Sequence, residues 1–193
     1  MSHTFWLTGL SGAGKSTIAN AVLDHLQFLD KTVYILDGDI LRTGLCNDLK
    51  FSKEDRHENL RRAASVASIL NAAGVIVVAA FITPYESDRE MIRSIIGPDK
   101  TSIVYIATPL DVCEARDVKG MYKLARAGKI PTFTGVSDPY EIPQNPDLTL
   151  QTNEYTDTHD DTKSIDSTAE TLSSFIWTRT TGTEHPYLVA VNG

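Results

Sequence analysis

The sequence predicts an α/β protein in which a parallel five-stranded sheet is sandwiched between helices. Short runs rich in β-branched and aromatic residues alternate with longer runs of helical periodicity along the 193 residues. The run at 75–82 is apolar throughout, which is typical of a central parallel strand covered on both faces. A glycine-rich run at 9–14 joins the first strand to the first helix. In folds of this class, ligands bind at the carboxyl ends of the strands.

Each element follows from periodicity or from capping residues. The predicted strands are 5–8, 32–36, 75–82, 103–106 and 148–150. The predicted helices are 15–29, 52–73, 86–96, 110–116 and 164–177. Apolar residues from Ile18 to Leu29 share one face of the first helix. Ser52 and Asp55 form a variant of the capping box at the start of the second helix, and Gly74 ends that helix.

Three segments fall outside the alternation of strands and helices. Residues 117–145, called the lid segment below, are rich in Lys, Arg, Gly and Pro and are predicted to form a mobile lid. Residues 154–163 are polar and are predicted to form an exposed loop. Residues 178–193 form a C-terminal tail with no assigned role, so the prediction is a single domain at 1–177.

The composition excludes several function classes. The net charge is −7, so the chain as a whole does not attract nucleic acid or an anionic membrane, and an anionic ligand requires a local basic cluster. Two cysteines, Cys46 and Cys113, cannot form a disulfide framework and are interpreted as reduced cytoplasmic thiols. No signal peptide is recognisable, and the apolar run at 72–82 is too short to span a bilayer.

A phosphate-binding motif follows the first predicted strand and opens the first predicted helix. Its residues are Gly9, Leu10, Ser11, Gly12, Ala13, Gly14, Lys15 and Ser16, which match GxxxxGK[ST] in full. The glycines allow backbone N–H groups to converge on an anion, and the helix N-terminus adds its positive dipole end. Lys15 is expected to reach the β- and γ-phosphates and Ser16 to ligate Mg²⁺. The sequence therefore predicts a P-loop NTPase-type fold, the alternative being a glycine-rich turn without function.

Two carboxylates follow the second predicted strand, at the sheet edge where the phosphates would lie. Asp37 is the candidate general base, and Asp39 is expected to help place the metal and the acceptor. The alternative is an Asp-Gly turn in which Asp39 caps a short helix through Leu45.

Basic residues follow these acids. Arg42 and Arg56 are interpreted as contacts for an anionic ligand, because a guanidinium can bind two oxygens of a phosphate or sulfate. Asn59 shares a helix face with Arg56. Arg61 and Arg62 are better explained as a solvated helix face.

Several motifs, in this order, resemble the adenylylsulfate kinase family over residues 4–177. They are GLSGAGKST at 9–17, LDGDILRTGL at 36–45, FSKEDRHENLRRAA at 51–64, FITPY at 81–85 and RDVKGMYKLARAGKIPTFTG at 116–135. The resemblance implies transfer of the γ-phosphoryl group of ATP, with Mg²⁺, to the 3′-hydroxyl of adenylylsulfate. The product would be 3′-phosphoadenylylsulfate, in cytoplasmic sulfate assimilation.

The resemblance also implies a set of binding residues. ATP would contact the loop from Gly9 through Thr17 and Arg116, while the metal would lie at Ser16 and Asp39. The acceptor would contact Asp39, Arg42, Phe51, Arg56, Asn59, Ile82, Thr83, Lys119 and Phe133. Phe51 and Phe133 would sandwich the acceptor adenine, although from the sequence alone each phenylalanine is better explained as a core residue.

The chain departs from the family pattern at three places. Thr83 stands where the family usually has serine, which weakens its interpretation as a catalytic residue that is phosphorylated during the reaction. The chain begins at the first strand, without the N-terminal extension of many relatives, and its tail continues past the usual end. The resemblance further implies a homodimer and a functional link to ATP sulfurylase. At 193 residues, no fused sulfurylase domain is expected.

Two other functions remain open on the residues alone. The chain could be a P-loop kinase for another small hydroxyl acceptor, such as a nucleoside monophosphate or a sugar acid. It could instead be a nucleotide-binding switch or adaptor, but it lacks an NKxD motif and keeps Lys15 and both aspartates.

Overall fold

The computed structural model describes residues 1–26, 32–152 and 161–184. Within these residues the strands are β1 (Thr4–Thr8), β2 (Val33–Asp37), β3 (Ile76–Ala80), β4 (Thr101–Ile106) and β5 (Leu148–Leu150). They form one sheet in the order β2-β3-β1-β4-β5, and every pairing is parallel. The predicted parallel five-stranded sheet is confirmed.

The order of the strands places β1 at the centre of the sheet. β1 pairs with β3 on one side and with β4 on the other, and all residues of β1 and β3 are buried. Since parallel strands end at a common edge, the residues that follow β1, β2 and β3 come together there. These residues are the glycine-rich loop, the two aspartates and Thr83.

The helices of the described residues cover both faces of this sheet. They are α1 (Lys15–Leu26), α2 (Gly38–Thr43), α3 (Lys53–Ala72), α4 (Glu86–Ile96), α5 (Leu110–Arg116), α6 (Met121–Arg126) and α7 (Asp161–Thr181). At the start of α3 the Ser52 hydroxyl accepts a hydrogen bond of 3.1 Å from the backbone N–H of Asp55, as the capping residues predict. The predicted end of the first helix, at 27–29, lies outside the described residues.

The sequence offered α2 only as an alternative, with a different cap and end, and did not predict α6; one long helix, α7, also differs in its ends. Asp37, rather than Asp39, is the N-cap of α2, and α6 lies inside the lid segment. Each has six residues, too few to show a helical repeat in the sequence. Residues 161–163 belong to α7 and not to the predicted loop, and α7 continues to Thr181. Residues 153–160 and 185–193 lie outside the described residues.

Two hydrophobic cores lie on the two sides of the sheet. One packs α1 and α7 against the sheet and includes Tyr122 and Phe133 from the lid segment. The other packs α3 and α4 against the opposite face around Trp6 and Phe81, whose rings stack at 4.8 Å. The lid segment is therefore anchored in the core by two aromatic side chains.

Candidate active site

The glycine-rich loop between β1 and α1 needs its glycines for steric reasons. A Cβ on Gly9 would lie 2.7 Å from the carbonyl oxygen of Ile106 on β4, so a side chain there would clash with backbone. Gly12 and Gly14 have φ values of 76° and 96°, which L-residues rarely adopt. The loop leads directly into the N-terminus of α1, a helix end that favours anions.

Lys15 lies inside this loop. Its ammonium donates hydrogen bonds to the carbonyl oxygens of Gly9 at 2.9 Å and Leu10 at 2.7 Å. The residue is only 8% exposed, and burial lowers the pKa of Lys15 to about 8. The two carbonyl dipoles stabilise the ammonium but carry no net charge. The glycine-rich loop, called the phosphate cradle below, therefore retains a positive charge for an incoming phosphate.

The two aspartates, Asp37 at the end of β2 and Asp39 just after it, point to different partners. Asp37 accepts a hydrogen bond of 2.6 Å from the Ser16 hydroxyl, and its other carboxylate oxygen accepts from the N–H of Asp39 at 2.8 Å. Asp39 forms an ion pair with Lys119 of the lid segment. The structure therefore places Asp37, and not Asp39, beside the serine predicted to ligate the metal.

Arg42 and Phe51 form one rim of the site. The Arg42 guanidinium donates a hydrogen bond of 2.9 Å to the carbonyl oxygen of Lys50 and lies 4.5 Å from the centroid of the Phe51 ring. Phe51 is 62% exposed, so it is not the core residue that the sequence alone favours. An exposed aromatic ring beside a cation is suited to stacking with a base.

Arg56 is engaged by the lid segment. It donates to Asp138 at 2.9 Å, to the Thr134 hydroxyl at 3.1 Å and to the carbonyl oxygen of Thr132 at 2.8 Å. Its side chain is 16% exposed. Arg56 therefore links α3 to the part of the lid segment that carries Phe133.

Asn59 lies one turn further along α3 and is 4% exposed. Its side-chain N–H₂ group has no hydrogen-bond partner among the described residues. A buried donor without a partner is costly, so this group is suited to a polar ligand.

Thr83 is held in a strained backbone conformation at the carboxyl end of β3. Its φ is 46°, and it is 1% exposed. The Thr83 hydroxyl accepts a hydrogen bond of 2.8 Å from the Trp6 indole N–H. The neighbouring Ile82 carbonyl accepts from the Thr8 hydroxyl at 2.7 Å and from the Gly9 N–H at 3.3 Å, which ties this segment to the glycine-rich loop.

The remaining predicted residues lie on the α5 side of the site. Arg116 ends α5 and makes a long contact, 3.4 Å, with the carbonyl oxygen of Thr152. Phe133 is 8% exposed and packs edge-to-face on Tyr122, with ring centroids 4.9 Å apart. In the described residues Phe51 and Phe133 thus have different partners and different burial.

Two residues of the site were missed by the sequence reasoning. Asp138 accepts hydrogen bonds from Arg56 and from the Tyr85 hydroxyl, and Tyr122 donates to the carbonyl oxygen of Ser11 at 2.9 Å. Both lie in the lid segment. The family motif at 116–135 includes Tyr122 but not Asp138. Asp138 is 53 and 82 positions from its two partners, and Tyr122 is 111 positions from Ser11, beyond the reach of local patterns.

A P-loop with a buried lysine, a serine–aspartate contact and a separate basic rim at the same sheet edge defines a P-loop kinase. The profile of the adenylylsulphate kinase family matches residues 1–151. The chain belongs to this family.

Relatives and solved structures agree with this assignment. The adenylyl-sulfate kinase of Acaryochloris marina is 49% identical over 154 residues, which are 80% of this chain and 75% of the relative. That of Vibrio cholerae is 52% identical over 149 residues, 77% and 69% of the two chains. The Mycobacterium tuberculosis APS kinase CysC, solved with AMPPNP and APS, superposes with a TM-score of 0.82 at 41% identity, covering 91% and 97% of the two chains.

More distant structures share the fold alone. A sugar kinase from Janibacter is 18% identical with a TM-score of 0.57. Among the helices of the described residues, none combines the length and the apolar character that crossing a membrane requires.

Proposed function

We infer that this chain transfers the γ-phosphoryl group of ATP to the 3′-hydroxyl of adenylylsulfate, giving 3′-phosphoadenylylsulfate for sulfate assimilation. One observation carries this inference. A phosphate cradle and a basic, aromatic rim share one edge of the sheet, in a chain 41% identical to a kinase solved with AMPPNP and APS. Such transfer requires mainly positioning and charge stabilisation, which these residues supply.

The ATP side of the proposal rests on the loop from Gly9 to Thr17. Its backbone N–H groups would surround the phosphates, and Lys15 would exchange the carbonyls of Gly9 and Leu10 for phosphate oxygens. Arg116, at the end of α5, is proposed to contact the adenine.

The donor atoms near Ser16 fit Mg²⁺. The Ser16 hydroxyl and the Asp37 carboxylate are hard oxygen ligands 2.6 Å apart. The described residues hold no cluster of three or more His, Cys, Asp or Glu suited to a metal, which agrees with an ion held by one or two protein oxygens and substrate phosphates. Bound Mg²⁺ would neutralise charge on the phosphates.

The contacts favour a division of roles that differs from the sequence prediction. Asp37 lies beside Ser16, so we assign it to the metal side, in place of Asp39. Asp39 is paired with Lys119 of the lid segment, so we assign it to orient the acceptor hydroxyl and accept its proton.

The acceptor site is proposed to combine charge, a polar group and stacking. Arg42 and Arg56 would bind anionic groups, Asn59 would donate to a ligand acceptor, and Lys119 would stabilise charge during transfer. Ile82 and Thr83 would line the same edge of the sheet, with Phe51 and Phe133 as stacking surfaces for adenine.

A direct assay tests the function. The protein is mixed with Mg·ATP and adenylylsulfate, and the 3′-phosphorylated product is measured by mass. Lys15→Met is expected to abolish the product. The matched change Lys100→Met, at an exposed lysine in the short 3-10 turn Pro98–Lys100 before β4, is expected to leave it intact. Phosphorylation of a nucleoside monophosphate or a sugar acid, with adenylylsulfate left unchanged, would contradict the inference.

We also propose a cytoplasmic homodimer that is functionally linked to ATP sulfurylase. Two relatives support assembly and coupling in general terms. The Thiobacillus denitrificans APS kinase, 30% identical with a TM-score of 0.62, is hexameric. The Rhizobium tropici enzyme NodQ, 52% identical over 147 residues, is bifunctional, and this chain spans 23% of it. Light scattering of the purified chain tests the dimer, and a monomeric mass would contradict it.

A further inference from the structure

Tyr122 connects the two halves of the site. Its hydroxyl donates a hydrogen bond of 2.9 Å to the carbonyl oxygen of Ser11 in the P-loop. Its ring packs edge-to-face with the ring of Phe133, with the ring planes at 80° and the centroids 4.9 Å apart. One side chain therefore contacts both the phosphate cradle and the proposed stacking surface for the acceptor adenine.

The position of Tyr122 is fixed by its surroundings. The residue is 3% exposed and belongs to the core on the α1 side of the sheet. The Asp117 carboxylate accepts hydrogen bonds from the backbone N–H groups of Tyr122 at 2.9 Å and Lys123 at 3.0 Å, which fixes the first turn of α6. A ring held at both ends and packed in a core transmits a shift of one neighbour to the other.

A second contact joins the same two segments. Gly135 lies two residues after Phe133, and a Cβ at this position would come within 3.0 Å of the Leu10 side chain of the P-loop. The φ of Gly135 is 90°, so the backbone there is suited to glycine on two grounds. The lid segment around Phe133 therefore packs directly on the P-loop.

We propose that Tyr122 is a positioning residue that couples nucleotide binding in the P-loop to acceptor binding at Phe133. The proposal rests on the function inferred above, because it takes Phe133 as part of the acceptor site. Phosphates bound by the loop restrict its backbone, including the Ser11 carbonyl. Tyr122 and then Phe133 are restricted in turn, so that the protein loses less conformational entropy when the acceptor binds.

Such coupling is reciprocal and can be measured in both directions. The dissociation constant of adenylylsulfate is measured by calorimetry with and without saturating AMP-PNP, and that of AMP-PNP with and without adenylylsulfate. Tyr122→Phe keeps the ring and its contact with Phe133 but removes the hydrogen bond to Ser11. Tyr34→Phe, on the half-exposed face of the edge strand β2, is the matched control.

We expect AMP-PNP to tighten adenylylsulfate binding to the wild type. The coupling factor is the ratio of the dissociation constants of adenylylsulfate without and with AMP-PNP. Tyr122→Phe is expected to lower this factor about fivefold, the effect of one hydrogen bond. The same reduction is expected in the reciprocal measurement, and Tyr34→Phe retains the wild-type factor. If the role of Tyr122 is purely structural, Tyr122→Phe would lower the melting temperature. It would then weaken adenylylsulfate binding equally with and without AMP-PNP, so that the coupling factor would not change.

Three results would overturn the proposal. One is an equal coupling factor in the wild type and Tyr122→Phe, and another is a wild type without coupling. The third is a hydrogen-exchange result for the wild type in which AMP-PNP alone does not slow exchange of the backbone amides at 133–135. If the wild type binds no adenylylsulfate at all, the proposed function fails and this inference fails with it, whereas product formation with unchanged coupling removes only the inference.

Discussion

At the scale of single residues, the buried ammonium of Lys15 sets a pH dependence. Its pKa is lowered to about 8 by burial in the free protein, and phosphate oxygens would raise it again. At a pH between the pKa of Lys15 in the free protein and its pKa in the complex, nucleotide binding must therefore take up a proton. The affinity for the nucleotide then falls as the pH rises through 8.

Calorimetry checks this expectation in two buffers of different ionisation enthalpy at about pH 9. We predict uptake of a large fraction of one proton per AMP-PNP bound by the wild type, and none by Lys15→Met. Binding enthalpies that are independent of the buffer would contradict a lowered pKa for Lys15.

The two aspartates make separate predictions because their contacts differ. Asp37→Asn keeps the N-cap of α2, since asparagine caps as well as aspartate, but it removes the charge beside Ser16. We expect kcat to fall and the Mg²⁺ concentration for half-maximal rate to rise about tenfold. Asp39→Asn is expected to lower kcat at an unchanged Mg²⁺ requirement. If instead Asp39→Asn raises the Mg²⁺ requirement and Asp37→Asn does not, the roles predicted from the sequence, Asp37 as base and Asp39 as metal ligand, would be favoured.

Thr83 tests whether transfer is direct. Thr83→Ala leaves the buried Trp6 indole N–H without its acceptor, at a cost of about 1–3 kcal/mol in the free energy of unfolding. We expect a lower melting temperature but residual product formation, and Thr83→Ser should restore stability because it keeps the hydroxyl. Complete loss of chemistry in Thr83→Ala, with phosphothreonine trapped in the wild type, would show a covalent intermediate.

At the scale of secondary-structure elements, Arg62 attaches the α2–α3 connection to α3. Its guanidinium binds both carboxylate oxygens of Asp48, at 2.7 and 2.9 Å, and the carbonyl oxygen of Leu45 at 2.9 Å. The sequence indicated a solvated side chain here, and the structure shows instead a bidentate anchor for the connection that carries Phe51.

We predict that Arg62→Ala raises the KM for adenylylsulfate roughly fivefold, because the rim that carries Phe51 is less well positioned. The affinity for AMP-PNP should stay within a factor of about two. Arg61→Ala is the matched control, since Arg61 pairs only with Glu58 of its own helix in the described residues. Equal effects of the two changes would contradict the anchoring role.

Capping and periodicity predicted α3, α4 and α5 from the sequence because these helices carry local signals, such as Ser52 before α3 and Gly74 after it. The P-loop was predictable because its chemistry is contained in eight consecutive residues. By contrast, the contacts of Tyr122 with Ser11 and of Arg56 with Asp138 join distant segments. They depend on how the lid segment packs, which no local pattern specifies.

At the scale of the whole molecule, the parallel sheet is the reason that the site exists. β1, β2 and β3 end at one edge, which brings the P-loop, the aspartates and Thr83 together although they are up to 74 positions apart. The chain carries a net charge of −7, so the positive field at this edge must come from Lys15, Arg42, Arg56 and Lys119. The lid segment contacts this edge of the sheet at three points. Lys119 pairs with Asp39, Asp138 pairs with Arg56, and Tyr122 donates a hydrogen bond to the carbonyl oxygen of Ser11.

The central claim is that the P-loop and the rim of Arg42 and Phe51 face a single cleft in which phosphate passes from one ligand to the other. The most direct measurement is a crystal structure with both AMP-PNP and adenylylsulfate. We predict that the 3′-oxygen lies about 3–4 Å from the γ-phosphorus, in line with the bond to be broken. Ligands bound in separate cavities, with Lys15 and Arg42 facing different volumes, would contradict the account.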